Sequence, residues 1–299
     1  MAGIITTGSF QLPDQLYGKV WDKIEDGSVL AKLAPQEGFT YGSTDIITFT
    51  GKPKAEFVAE TGNKSSALPE FGKKTVATHK AQVTVRMTDE VLLMSEDQQV
   101  QLMDPLTTEI AVALARALDL GAIHAINPLD GEKAKSITDY IAATTKSVTV
   151  KDPLSDLDAA IDALLVDDYT PDGIALSATY ANKYRSARSS SGEARLFPEV
   201  PLNVKMIGNI QGINAAVSST VNAKEAKTAT NVEGIIGDFA DGFKWGIVRN
   251  IPLQTIRFGD PDGQGDLQRT NQIAIRAEVY YAWAVMDPNA FVKVVKASA

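Results

Sequence analysis

The chain has no cysteine and only two histidines, His79 and His124. No disulfide framework, thiolate metal site or cysteine nucleophile can therefore be built. The histidines fall in a strand-like segment and at a helix end, with no carboxylate at metal-ligand spacing, which favours structural roles. The phosphate-cradling patterns GxGxxG and GxxxxGK[S/T] are missing as well. Long apolar runs are also scarce: the best, Ile110 to Ala125, is interrupted by Arg116, Asp119 and His124 and reads as a helix of a soluble domain, not a membrane span. Met1 to Gly18 carries neither Lys nor Arg and no apolar run, so no secretory signal is expected. Positive charge is short too. With 29 Lys and Arg against 37 Asp and Glu the net charge is -8, which argues against gripping nucleic acid through overall charge.

What remains is 299 residues, 44% of them hydrophobic and 7% aromatic, enough to core one large or two average domains. Residues 1–44 are punctuated by glycine; Asp14 to Asp26 predicts a short helix with Leu16, Val20 and Ile24 on one stripe, and the rest reads as an extended arm. From Asp45 to Met87 a long hairpin is expected. Ile46 to Phe49 lead out, with Phe57 and Val58 beyond; Val83, Val85 and Met87 alternate with Gln82, Thr84 and Arg86 on the way back. The intervening Glu60 to Lys74 is too polar to make a core. A two-stranded ribbon of this kind is marginal alone and needs a partner surface.

Asp104 and Pro105 look like the cap and first turn of a long helix carrying Leu106, Ile110, Ala113, Leu114, Ala117 and Leu118, ended by Asn127-Pro128 and Asp130-Gly131. Between Ser136 and Val248 strands alternate with helices, which predicts a small α/β layer. Ser155 is expected to cap a helix with Leu157, Ile161, Leu164 and Leu165 inward; Ile174 to Leu176 is a buried strand; Ser177 caps a helix through Arg188; Leu202 to Ile207 is a further strand. The seven aspartates from Asp152 to Asp172 read as a solvated face. The C-terminal part is β-rich, with strands around Asp241-Gly242, at Ile251 to Phe258, over Gln272 to Val285 and at Phe291 to Val295.

The search for chemistry is mostly empty. Asp260, Asp262, Gln264, Gly265 and Leu267 imitate the first half of a calcium loop, but Asn271 stands where a bidentate Glu belongs and strands flank the loop, so a tight acidic turn is the expectation. Tyr180 and Lys183 lie three residues apart, not the four of a reductase pair. Lys183, Arg185, Arg188 and Arg195 cluster without aromatics for base stacking.

The order of arm, polar-tipped hairpin, long helix, α/β layer and long final strand resembles the major capsid protein of tailed bacteriophages, with the Hong Kong 97 phage fold. The carriers are AETGNK at Ala59 to Lys64, FGKKT at Phe71 to Thr75, MDP at Met103 to Pro105, DGIALS at Asp172 to Ser177 and the ending NQIAIRAEVYYAWAVMDPNAFV. The resemblance implies an α+β capsid fold with an N-terminal arm over 1–44, an extended loop over 45–90, a peripheral domain over 91–135 and 249–299 holding a spine helix and long strands, and an α/β axial domain over 136–248. Gly259 to Gln268 would be the peripheral loop that meets its copies around threefold axes.

The implied function is self-assembly into the icosahedral head shell around double-stranded DNA, with no cofactor and no membrane. The implied partners are copies of the chain in hexamers and pentamers, portal and scaffolding proteins, and a possible decoration protein. Scaffolding is expected as a separate protein, in a virion assembled in the host cytoplasm. An encapsulin-like nanocompartment is the alternative, disfavoured by an arm where a cargo-docking helix is expected, and a soluble α/β enzyme is the alternative of another class. Some members of the family join an extended-loop lysine to a peripheral-domain asparagine, helped by a glutamate. Lys64, Asn271 and Glu278 fall at the matching places, although a loop-tip lysine is ordinarily solvated and Glu278 could pair with Arg276 or Lys64.

Overall fold

The computed structural model describes residues 27–42, 44–49, 55–58, 60, 62–64, 66, 71–94, 96–189, 192, 194 and 195–297. The expected helix Asp14 to Asp26 lies outside them. Among the described residues ten strands form two sheets, accompanied by five α-helices: α1 (Val29–Leu33), β1 (Thr44–Phe49), β2 (Phe71–Thr88), α2 (Glu96–His124), β3 (Ser147–Thr149), α3 (Pro153–Leu165), β4 (Gly173–Leu176), α4 (Ala178–Ser186), β5 (Asn209–Ile210), β6 (Ile213–Val217), β7 (Val232–Gly237), α5 (Phe239–Gly242), β8 (Phe243–Ile256), β9 (Gln272–Val285) and β10 (Phe291–Val295).

The first sheet is antiparallel in the order β1-β2-β9-β8. Odd-numbered residues of β9, Ile275 to Val285, enter the main core with Ile110, Leu114 and Leu118 of α2, as their alternation requires. The even face is covered as well: Ala282 and Ala284 pack with Phe39 and Val76. Residues 77–88 of β2 pair with β9, whereas 71–76 pair only with β1, so among the described residues the hairpin continues past the sheet as a two-stranded ribbon. Phe57 and Val58 do not extend its outgoing strand; both are exposed coil.

The spine helix starts at Glu96, earlier than its sequence suggests. Asp104 does not cap it; its carbonyl accepts from the Thr107 and Thr108 hydroxyls inside the helix, and Pro105 sits in the interior, its ring on the exposed side. At 1.5 Å per residue the helix runs about 44 Å. Ala125, at φ 55, ends it in the left-handed region.

The second sheet is mixed, in the order β3-β10-β7-β4-β6-β5. Leu157 and Leu164 of α3 and Tyr180 and Tyr184 of α4 cover one face; Ala175, Ile235 and Phe291 on the other join the main core. Asp152, not Ser155, caps α3, and Leu165 points outward. Ser177 caps α4 as expected. Residues 202–207 form no strand; Val204–Met206 is a single 3-10 turn with Leu202 and Met206 exposed. Strands at Phe243 and Ile251 prove to be one, β8, with two irregularities in register. The final strand β10, grouped by the expected partition with residues 249–299, belongs to the second sheet.

The acidic run is only partly a solvated face. Asp156 is buried and accepts from the Lys151 amide and the Tyr180 hydroxyl; Asp172 accepts from the Phe239 and Ala240 amides. Residues 28–39 of the expected extended arm pack on their own subunit. The Trp245 indole N-H donates to the Ala34 carbonyl, and Gln36 bridges Trp245 along the outer edge of β8. Gly246 is required there, because a Cβ would lie 2.0 Å from the Glu37 carbonyl oxygen.

Candidate functional site

The ribbon is the first candidate. Asp45, Lys73 and Thr75 are exposed along it, and Ile47, on the same face as Asp45, is 68% exposed although apolar. Lys73 pairs with Asp45 at 2.8 Å, and Lys74 bonds Asp139 at 3.1 Å where the ribbon leaves the body. A cavity of about 360 Å³ opens at this root, lined by Lys74, His79, Asp139 and Trp283 among others. His79 stacks on Trp283 with ring centroids 4.3 Å apart, and burial lowers its pKa.

The second candidate is the loop between β8 and β9. Arg86 of β2, whose side chain is 14% exposed, reaches into it. Its Nε donates to both Asp262 oxygens at 2.9 and 2.8 Å; one terminal nitrogen donates to Asp260 at 3.1 Å, to the Gly265 carbonyl at 2.9 Å and to Asp262, and the other reaches Gln272 at 3.2 Å. The hydrogen bond from Arg86 holds the Asp262 carboxyl below the ordinary range. The calcium-like pattern thus surrounds a guanidinium, and no group of three metal-binding side chains occurs among the described residues.

Lys64, Asn271 and Glu278 are not brought together within the subunit. Lys64 is exposed on the hairpin connection, and Asn271 is exposed in the left-handed region at φ 51, its carbonyl accepting from the Asp89 amide. Glu278 sits seven residues on in an extended strand, which at 3.3 Å per residue separates it from Asn271 by about 23 Å. It is nearly buried, and its partner is Lys80 at 2.9 Å, not Arg276 or Lys64. Pairing β2 against β9 would have pointed to Lys80, whose cross-strand neighbour Tyr280 is two residues from Glu278.

The other polar candidates have structural duties. His124 is buried, its Nε2 on the Val221 carbonyl at 2.8 Å, and burial lowers its pKa to about 4. The Tyr180 hydroxyl donates to buried Asp156, and Arg185 to Asn182 on its own helix. No helix among the described residues is long and apolar enough to cross a membrane.

The sequence matches the profile of the phage capsid family over residues 8–296. The chain belongs to the phage capsid family. A structure from Mycobacterium phage Ogopogo is similar at 36% identity and TM-score 0.80, covering 91% of this chain and 92% of that one. One from Gordonia phage Cozz follows at 28% identity and TM-score 0.78, covering 91% and 87%. The capsid of an empty GTA particle shares the fold at 17% identity and TM-score 0.63, covering 91% and 90%. A search of curated proteins gives no match. The protein is a major capsid protein, a structural subunit of the head shell in the virion, and it assembles with copies of itself into icosahedral shells of capsomers. An exposed two-stranded ribbon, with no third strand among the described residues, is suited to that role, since a neighbouring subunit can supply the missing layer.

Proposed function

We propose that the shell of this capsid protein encloses the double-stranded DNA of a tailed phage, is built of hexamers and pentamers, and is assembled in the host cytoplasm. Portal and scaffolding proteins are its expected partners, with a decoration protein as a further one. The net charge of -8 supports a container that does not cling to its cargo. The ribbon with exposed Ile47 is the observation that carries the assembly reading: the hairpin reaches for a neighbour, and Gly259 to Gln268 meets its copies around threefold axes. Residues 91–135 with most of 249–299 act as the peripheral unit and 136–248 as the axial unit. Nuclease treatment of purified particles tests the cargo. Protected DNA of one length supports the reading, and particles holding protein alone contradict it.

The same assembly would create a covalent bond. A neutral Lys64 amine of one subunit attacks the Asn271 carboxamide of another, Glu278 takes up a proton and returns it to the departing nitrogen, ammonia leaves, and an isopeptide bond remains. The separation of Asn271 from Glu278 along β9 is consistent with a site shared between subunits. Within one subunit Glu278 is held by Lys80 at 2.9 Å. Boiling particles in detergent followed by a denaturing gel tests it: a ladder that disappears in Lys64→Ala is expected, and a single 32 kDa band contradicts it.

A further inference from the structure

We propose that Arg86 is the positioning residue that sets the 259–267 loop in its docking shape before subunits meet. The proposal rests on the reading that this loop contacts neighbouring copies, and it adds what determines the loop's shape.

The loop cannot hold itself by burial. Pro261 is half-buried and Asp260, Asp262, Gly263, Gln264, Gly265 and Asp266 are exposed; Leu267 alone is buried, at its base. Gly259, Gly263 and Gly265 all have positive φ, at 82, 76 and 99°, so the backbone turns through conformations that have many alternatives in a free chain. Against that entropy stand a few polar contacts. The Gly265 amide donates to Asp260 at 2.9 Å and the Gln264 amide to Asp262 at 3.3 Å, which fold the carboxylates inward. Two carboxylates so turned repel each other unless a cation lies between them, and the Arg86 guanidinium occupies that place. Its planar fork bonds Asp260, Asp262 and the Gly265 carbonyl in the loop and Gln272 beside it, a set that a lysine ammonium cannot reproduce.

Arg86 comes from the end of β2 that pairs with β9 alone. It lies opposite Ala274 in the β2 and β9 ladder. Arg276, one register step away on the same face, donates from Nε to Thr84 at 3.0 Å and from a terminal nitrogen to the Pro261 carbonyl at 2.5 Å. The loop is thereby referred to β2 as well as to its own flanking strand β9. A docking element held in its bound shape loses less conformational freedom on association, and a closed shell repeats that saving at every contact. Losing Arg86 should therefore leave the core intact and act on assembly.

The experiment compares full-length wild type with Arg86→Gln, Arg86→Lys and Gln264→Trp by subunit melting temperature, hydrogen exchange of amides 260–267, and the critical concentration for shells. Arg86→Gln should keep the wild-type melting temperature within about 2 °C, speed exchange in the loop, and raise the critical concentration about tenfold; Arg86→Lys should restore little of either. Gln264→Trp, which adds bulk at an exposed position of the loop and removes none of the Arg86 acceptors, should block assembly with loop exchange unchanged. Protected loop amides or normal assembly in Arg86→Gln, with Gln264→Trp blocked, would overturn the role of Arg86 alone. A melting temperature that falls in step with assembly would make Arg86 merely structural and overturn it too. Normal assembly of Gln264→Trp would remove the loop-contact reading and the proposal with it.

Discussion

Asp119 lies fully buried on the spine helix, where its oxygens accept from the Ser28 hydroxyl at 2.5 Å, the Val29 and Leu30 amides at 3.1 and 3.3 Å, and the Thr220 hydroxyl at 2.8 Å. It tethers residues 28–30, the helix and the turn that follows β6 at one point. Removing it orphans several buried donors, so Asp119→Ala should destabilise the subunit by roughly 3 kcal/mol. Hydrogen exchange at residues 28–31 should rise before the rest of the chain opens. Trp283→Asp should prevent folding altogether. The ring is 3% exposed, its N-H donates to the Asp139 carbonyl, and Gly121 leaves it only just enough room. The loss of packing alone costs roughly 4 kcal/mol, and the charge would be buried in place of the ring. Soluble, assembling Trp283→Asp protein would contradict the packing described. His124 supplies a pH dependence. Its folded pKa of about 4 lies below the unfolded 6.5, so between those values the unfolded chain takes up a proton that the folded one refuses. Stability therefore falls as pH drops through that window, by roughly 3 kcal/mol in total. Burial of Asp119 raises its pKa and works in the opposite sense, gaining stability on acidification. The His124 contribution is read as the difference between wild type and His124→Gln, whose stability curve should lose that slope between pH 6.5 and 4.

At the scale of elements, the hairpin separates folding from assembly. Ile47→Ser, and deletion of Gly62 to Phe71, touch little of the core, so both should leave the melting temperature of the subunit near that of wild type while shells become fewer and less heat-resistant. Normal particles of equal heat resistance from the deletion would contradict this role. The hairpin was legible in the sequence because Val83, Val85 and Met87 alternate with polar residues, and β9 because its odd positions are apolar over the whole strand. The start of the spine helix was not legible: Glu96 to Gln101 carries no apolar stripe, and Asp104-Pro105 imitates a capped beginning so well that the local signal points to the wrong turn. Residues 202–207 misled for a related reason, since a few alternating apolar residues do not fix a strand without a ladder partner. The contacts that define the sites were the least legible. Arg86 meets Asp262 across 176 residues, Ser28 meets Asp119 across 91, and Lys80 meets Glu278 only because β2 and β9 pair. No local period carries such information. Lys64, Asn271 and Glu278 came from family resemblance, and the fold leaves them apart within one subunit.

For the molecule as a whole, two sheets share one apolar core around the spine helix, while a ribbon and an acidic loop extend from it with polar or exposed faces. The subunit is thus complete in its core and incomplete at its edges. Electron microscopy of the purified full-length protein in negative stain tests that account most directly. Closed shells of uniform diameter, or capsomers that convert to them as concentration rises, are the expected result. A species that stays at 32 kDa at every concentration, with no shells and no capsomers, would contradict it.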